Sequence, residues 1–180
     1  MATASEQGAK IKYTQALTTT QWLRPEHLFC RINFHSQKAL FEHAAHCLGR
    51  YVPEIKPQSV VSKLMFREKL GSTSIGNGIA IPHCTLDDLI EPFIWLSTLK
   101  SPLKFNAEDT LPVDITAIVI IPNIAHDQTT LFLTNFAYVI QQARSRNRLR
   151  KAKNHQELCA SASLIEKEFQ QRNNETHTVL

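Results

Sequence analysis

The chain is 180 residues long, 43% apolar and 20% charged, with a formal net charge of +4. That length and apolar content suit one globular domain with a substantial core, while the absence of any run of about 18 apolar residues excludes a membrane-spanning helix. Four cysteines, Cys30, Cys47, Cys84 and Cys159, stand without C-x-x-C spacing, which speaks against a zinc knuckle or a disulfide framework and for reduced thiols in the cytoplasm.

Residues 1–16 are small and polar, lack a signal-peptide core, and are expected to form a tail. Between Leu17 and His35, Pro25 points to a short helical turn. The alternation of Cys30, Ile32 and Phe34 with Arg31 and Asn33 then predicts a first strand over Cys30–Phe34. A first helix follows. Ser36 is its N-cap, Leu40, Ala44, Cys47 and Leu48 fall at i, i+4, i+7 and i+8, and Gly49 is placed to end it. After Pro53 and Pro57, Val60, Val61, Leu64 and Met65 mark the stripe of a second helix finishing at about Arg67–Leu70.

The stretch from Arg67 to Cys84 reads Arg-Glu-Lys-Leu-Gly-Ser-Thr-Ser-Ile-Gly-Asn-Gly-Ile-Ala-Ile-Pro-His-Cys, and Gly71, Gly76 and Gly78 are three of the five glycines in the chain. Glycine admits φ > 0 and lets backbone N–H groups approach an anion, so Gly76, Asn77 and Gly78 are candidate anion-binding residues. The short apolar segment Ile79–Ile81 is expected to be a strand ending on His83, whose direction the fixed φ of Pro82 restricts. A neutral imidazole can accept a phosphoryl group at cytoplasmic pH, and an arginine fork such as Arg67 suits phosphate oxygens. From these residues alone, His83 as a mere strand cap and Arg67 as a solvated helix-end cation is the favoured reading.

Further along, the acidic turn Thr85–Glu91 leads to two continuous apolar runs, Phe93–Leu99 and Val113–Ile121, expected as central strands covered on both faces. Lys100–Pro112, with Asn106-Ala107-Glu108-Asp109, reads as the loop between them. A long helix starting near Asp127 carries Leu133, Phe136, Ala137 and Ile140 on one face, and Asn154 with Glu157 signals a final short helix. Strands and helices alternate too irregularly for a doubly wound parallel sheet, but covered strands require helices on both faces.

The run from Arg67 to His83 resembles the IIA domain of the mannitol/fructose class of the bacterial phosphoenolpyruvate:sugar phosphotransferase system, most closely its nitrogen-regulatory branch. Members carry a run much like Arg-Glu-Lys-Leu-Gly-Ser-Thr-x-Ile-Gly-Asn-Gly-Ile-Ala-Ile-Pro-His, ending on the phospho-accepting histidine. The likeness extends from about Leu17 to Ala162 and includes Leu-Pro-Val-Asp at Leu111–Asp114, so the domain is expected over 17–162 with a polar tail over 163–180. The resemblance implies an α/β fold with a mixed sheet sandwiched between helices, His83 as phosphoacceptor and Arg67 as its anion partner.

Two departures stand out. Where members usually carry a second histidine at the start of the long helix, ungapped counting finds Thr129, with His126 the nearest histidine, so both are candidate phosphate contacts. Cys84 also stands where glycine is common. His43, His46 and Cys47 lie on neighbouring turns of the first helix, but no second ligand cluster accompanies them and no metal or other cofactor is expected. The basic run Arg144, Arg146, Arg148, Arg150, Lys151 and Lys153 reads either as a solvated helix end or as a surface for an acidic partner. Without interleaved aromatics or a DNA-binding module, it argues against nucleic acid.

The resemblance therefore implies a phosphorylation-dependent regulatory protein that receives phosphate from an HPr-like carrier and acts on a transporter or sensor kinase. The alternative is a sugar-specific component that hands phosphate to a IIB protein for uptake of fructose- or mannitol-type sugars.

Overall fold

The structure, a computed structural model, describes residues 22–105, 111–123 and 126–178, apart from the side chains of 126, 127 and 175–178. The expected N-terminal tail and the Asn106–Asp109 part of the loop lie outside the described residues.

Two long strands form the middle of the sheet. β5 (Phe93–Leu103) runs antiparallel to β6 (Val113–Pro122), with Phe93 opposite Ile120 and Leu103 opposite Val113. Both are apolar on successive residues because both faces are covered: Ile94, Trp95, Leu96, Ile115 and Ala117 through Ile120 have no exposed surface. Burying an aliphatic side chain of this kind contributes roughly 1.5–3 kcal/mol. On the outer edge of β5 lies β1 (Leu28–Ile32), parallel to it and preceded by a 3-10 turn at Pro25–His27. The far edge of β6 is shared by two short parallel strands, β3 (Ile79–Ala80) near its start and β4 (His83–Leu86) near its end. β2 (Ser74–Gly76) closes the sheet antiparallel to β3.

Helices cover the two faces. On one, α1 (Gln37–Tyr51) and α2 (Pro57–Lys69) bring Leu40, Phe41, Leu48, Val60 and Leu64 against Trp95, Ile118 and Ile120. On the other, α3 (His126–Gln141), α4 (Ala143–Lys151) and α5 (His155–Thr178) bring Phe132, Phe136, Leu149, Leu158 and Phe169 against Ile94, Ala117 and Val119. The expected α/β sandwich of a mixed sheet between helices is the observed architecture.

Ser36 caps α1 as expected, its hydroxyl accepting from the Ala39 N–H at 3.1 Å. Gly49 does not end the helix. The chain stays helical to Tyr51, because the stop is set by Pro53, which disfavours the helical conformation at Val52, and the open side of Gly49 instead faces Pro57. The predicted cap forms with a variant of the box: the Glu157 N–H donates to Asn154 Oδ1 at 2.9 Å, and the Glu157 carboxylate accepts from Asn154 Nδ2 at 2.8 Å and from Lys153 N at 2.9 Å. The helix it opens is long, not short. Leu158, Ala162, Ile165 and Phe169 form one buried stripe, so residues beyond Ser163 supply core, and the buried Glu166 carboxylate accepts from the Trp22 and Leu23 N–H groups.

The basic run is its own helix, α4, and most of its arginines face partners within the protein. Arg144 and Arg148 pair with Glu168 of α5, and Arg146 donates to the Gln141 carbonyl. Arg150 makes a bidentate contact to Asp114 at 2.7 Å and donates to the Asn77 carbonyl at 2.5 Å, fastening α4 to β6 and to the β2–β3 turn.

Two glycines should therefore respond oppositely to the same change. Gly78 has φ +74°, and a Cβ there would stand 2.7 Å from Arg150 Nη2 and 2.9 Å from Asp114 Oδ1, so Gly78→Ala should lower stability by about 1–3 kcal/mol. Gly49→Ala, helical and 3.4 Å from Pro57 Cγ, should leave stability unchanged or raise it by up to about 1 kcal/mol. Urea unfolding midpoints check both, and equal losses in the two variants would refute the assignment.

Candidate functional site

His83 does not end a strand; it begins one. Ile81 continues the β2–β3 pairing by donating its N–H to the Thr73 carbonyl at 2.9 Å, Pro82 has no N–H to give, and Val119 N donates to the Pro82 carbonyl at 2.9 Å, so the register with β6 carries through to His83 opposite Val119. His83 therefore starts β4 beside α2, within reach of Arg67.

There Arg67 Nε donates to His83 Nε2 at 3.1 Å, and Arg67 Nη1 donates to the Gly71 carbonyl at 3.0 Å. His83 Nδ1 lies 2.8 Å from the Ile81 carbonyl. A carbonyl oxygen only accepts and an arginine N–H only donates, so Nδ1 carries the proton and Nε2 the lone pair. The imidazole is thus held neutral. Burial pushes its pKa below the usual 6.5 and the Arg67 charge adds to this, while the bond to Ile81 and the Glu68 carboxylate oppose it.

His83 and Arg67 open onto a groove of about 660 Å³ that is also lined by Ser62, Lys63, Phe66, Leu70, Cys84 and Thr85. Lys63 closes one side by donating to the Thr85 carbonyl at 3.0 Å. Phe66 and Leu70 are 65% and 70% exposed. They were not singled out from the sequence, although apolar residues at i and i+4 that flank Arg67 and fall outside the Val60–Leu64 stripe carried the signal. Burial pushes the Cys84 thiol up to about 12, so it is no nucleophile.

Of the other residues expected at the site, the glycine turn lies elsewhere, and among the described residues no hydrogen bond joins Thr129 to His83. Gly76, Asn77 and Gly78 all have φ > 0, but they form the tight β2–β3 turn. Ile79 registers with Ile115 and His83 with Val119, so this turn sits about 15 Å from His83 along β6 at some 3.3 Å per residue. Its carbonyls are engaged by Arg150 and by the N–H groups of Asp114 and Ile115, which fasten the turn to α4 and β6 at that far end. A separate cleft of about 370 Å³ beside Asp114 and Arg150 belongs to that same far end. Thr129 is half-buried on the first turn of α3, and its hydroxyl has no hydrogen-bond partner among the described residues. His126 opens α3 with its side chain outside the described residues.

Of the two histidines of α1, one packs and the other is exposed. His43 lies against Phe29, Phe34 and Trp95 with ring centroids 4.8–5.6 Å away, and His46 bonds the Glu42 carbonyl. Among the described residues no three His, Cys, Asp or Glu side chains are grouped as metal ligands, and no helix is long and apolar enough to cross a membrane.

Protonation should follow from this geometry. Since folding favours the neutral ring, its contribution to stability is present above about pH 6.5 and is lost as the pH falls through the lower folded value. An NMR titration should place the His83 midpoint below 6.5. In Arg67→Gln it should rise only part of the way back, because burial is the larger cause. A full return to 6.5 would show that the arginine, not burial, dominates.

Comparison with known proteins agrees with this architecture. The family model described as phosphoenolpyruvate-dependent sugar phosphotransferase system, EIIA 2, matches residues 21–165. A nitrogen regulatory protein of Pseudomonas aeruginosa is 36% identical over 132 residues, covering 73% of this chain and 86% of that protein. One from Escherichia coli is 33% identical, over 71% of this chain and 78% of its own length. The crystal structure of nitrogen regulatory protein IIA-Ntr from Neisseria meningitidis superposes with a TM-score of 0.70 at 29% identity, covering 77% of this chain and 94% of that one.

Proposed function

Because the chain belongs to the phosphoenolpyruvate-dependent sugar phosphotransferase system EIIA 2 family, we propose that His83 Nε2 is its phosphoacceptor and that phosphorylation there is chiefly a regulatory signal. The observation that supports this most directly is the neutral Nδ1–H imidazole whose Nε2 lone pair faces the groove, 3.1 Å from Arg67 Nε. An HPr-like carrier brings a phosphohistidine. Nε2 attacks the phosphorus, the N–P bond of the donor breaks with its electron pair returning to the donor ring, and His83 keeps its proton on Nδ1. For that attack Arg67 gives up its bond to Nε2, which frees the lone pair, and donates instead to the phosphoryl oxygens, where a guanidinium stabilises the spread charge. Thr129, with a buried hydroxyl lacking a partner among the described residues, enters as a neutral donor to those oxygens; His126 is the other candidate.

The exposed Phe66 and Leu70 offer the carrier an apolar footing beside the acceptor, as transient protein contacts require. The regulatory reading follows from similarity to nitrogen regulatory proteins at 33–36% identity, whereas the likeness to the Escherichia coli IIA mannitol structure, at 21% identity, concerns the fold alone. The protein would work in the cytoplasm with its carrier. Its target, a transporter or sensor kinase, would meet additional negative charge on the phosphorylated face.

With phosphoenolpyruvate, enzyme I and the cognate carrier, the chain should gain one acid-labile phosphate, and His83→Ala should gain none. Label persisting in that variant would move the acceptor elsewhere. Arg67→Lys, which keeps the charge and loses the fork, should slow phosphorylation roughly ten- to a hundred-fold. As baits in affinity capture, His83→Ala should retain regulatory targets that His83→Glu loses. Identical recovery by both baits, with a IIB protein alone depending on a phosphorylatable His83, would replace regulation by sugar relay.

A further inference from the structure

Arg67 and Glu68 are neighbours on the last turn of α2, and each begins one arm of a closed hydrogen-bond ring. Along the first arm, Arg67 Nε donates to His83 Nε2 at 3.1 Å. Along the second, the Glu68 carboxylate accepts from the Thr73 N–H at 3.1–3.2 Å and from the Thr73 hydroxyl at 2.5 Å. The Thr73 carbonyl accepts from Ile81 N at 2.9 Å, and the Ile81 carbonyl accepts from His83 Nδ1 at 2.8 Å. The two arms meet on opposite nitrogens of one imidazole.

Nothing about the turn from α2 into β2 requires a threonine at position 73, yet that side chain is only 4% exposed. A buried hydroxyl is costly unless bonded, and its partner is the same carboxylate that takes the Thr73 N–H. The Glu68–Thr73 pair therefore pins the segment at residue 73, and through the Thr73 carbonyl it sets the position of Ile81, which extends the β2–β3 pairing just before Pro82. Left to itself, a histidine side chain populates both neutral tautomers. The Ile81 carbonyl opposite Nδ1 selects the Nδ1–H form, the one that also lets Nε2 accept from Arg67.

We propose that Glu68 and Thr73 are positioning residues for His83: by holding the Ile81 carbonyl against Nδ1 they keep the proton off Nε2, the nitrogen that faces Arg67 and the groove. This rests on the reading of His83 Nε2 as phosphoacceptor. Neither residue touches the transferred group. Their contribution is to the fraction of molecules whose reactive nitrogen carries the lone pair and points at the donor, an orientation effect that appears in the transfer rate and not in carrier docking.

The test uses the full chain with nitrogen-15 in its histidines. In the unmodified protein, above the His83 titration, long-range proton–nitrogen spectra should show Nδ1 protonated and Nε2 bare. Thr73→Val and Glu68→Gln should draw the two nitrogen shifts toward each other as the second tautomer appears. The same variants should lower the maximal rate of phosphate acceptance about tenfold with the KM for the carrier unchanged, and Thr73→Ser should restore both signals. Thermal unfolding of each variant separates this from loss of fold. Two results would overturn the proposal: a single Nδ1–H tautomer persisting in both variants, or a fall in rate without any change of tautomer. If the tautomer shifts as expected while the unmodified protein accepts no phosphate, the positioning role stands and the phosphoacceptor reading fails.

Discussion

The pairing of β6 with neighbours on both edges is the constraint from which the site follows. One edge is taken by β5 along nearly its whole length, while the other is divided between β3 near its start and β4 near its end. Both pair in the same register, Ala80 opposite Thr116 and His83 opposite Val119, so the chain between them stays beside β6 and the gap in the ladder is the N–H that Pro82 lacks. His83 follows that gap directly, on a strand held against β6 and with its side chain lining the groove.

The electrostatics of the site depend on that placement. Partial burial favours the neutral ring, and the adjacent guanidinium adds to the same preference. A cation 3.1 Å from the imidazole therefore favours the unprotonated ring, and under the proposed function it would also offer charge to the phosphoryl group. Arg67 is in turn steadied by the Gly71 carbonyl, so the guanidinium is oriented before any partner arrives.

Much of the fold was legible because its signals are local. The runs at Phe93 and Val113 announced doubly covered strands, Ser36 announced a helix start, and Asn154 with Glu157 announced another, since apolar periodicity and capping need only neighbours along the chain. The misreadings have equally physical sources. Gly49 carried a stop signal that Pro53 overrode two residues later. The last helix was read as short because its polar face dominates the composition beyond Ser163, although Ile165 and Phe169 continue the stripe begun by Leu158 and Ala162. The arginines of α4 looked like a solvated cluster because Glu168 and Asp114 are distant in sequence and adjacent only in the fold.

The sequence by itself determined that the chain belongs with α/β sandwiches, that Arg67 and His83 share one motif, and that no transmembrane helix interrupts the domain. These are properties of composition, period and residue order. Which residues of that motif meet at the site was decided by tertiary structure alone. Strand register carried Gly76, Asn77 and Gly78 to the far end of β6, where their positive φ serves a tight turn against Arg150. The same register brought Thr73, Ile81 and Glu68 around the imidazole, and a carbonyl opposite Nδ1 chose the nitrogen that keeps its lone pair. Hydrogen-bond direction depends on where a donor and an acceptor come to rest in space, and for residues 16 positions apart that is settled by packing and not by the order of the chain.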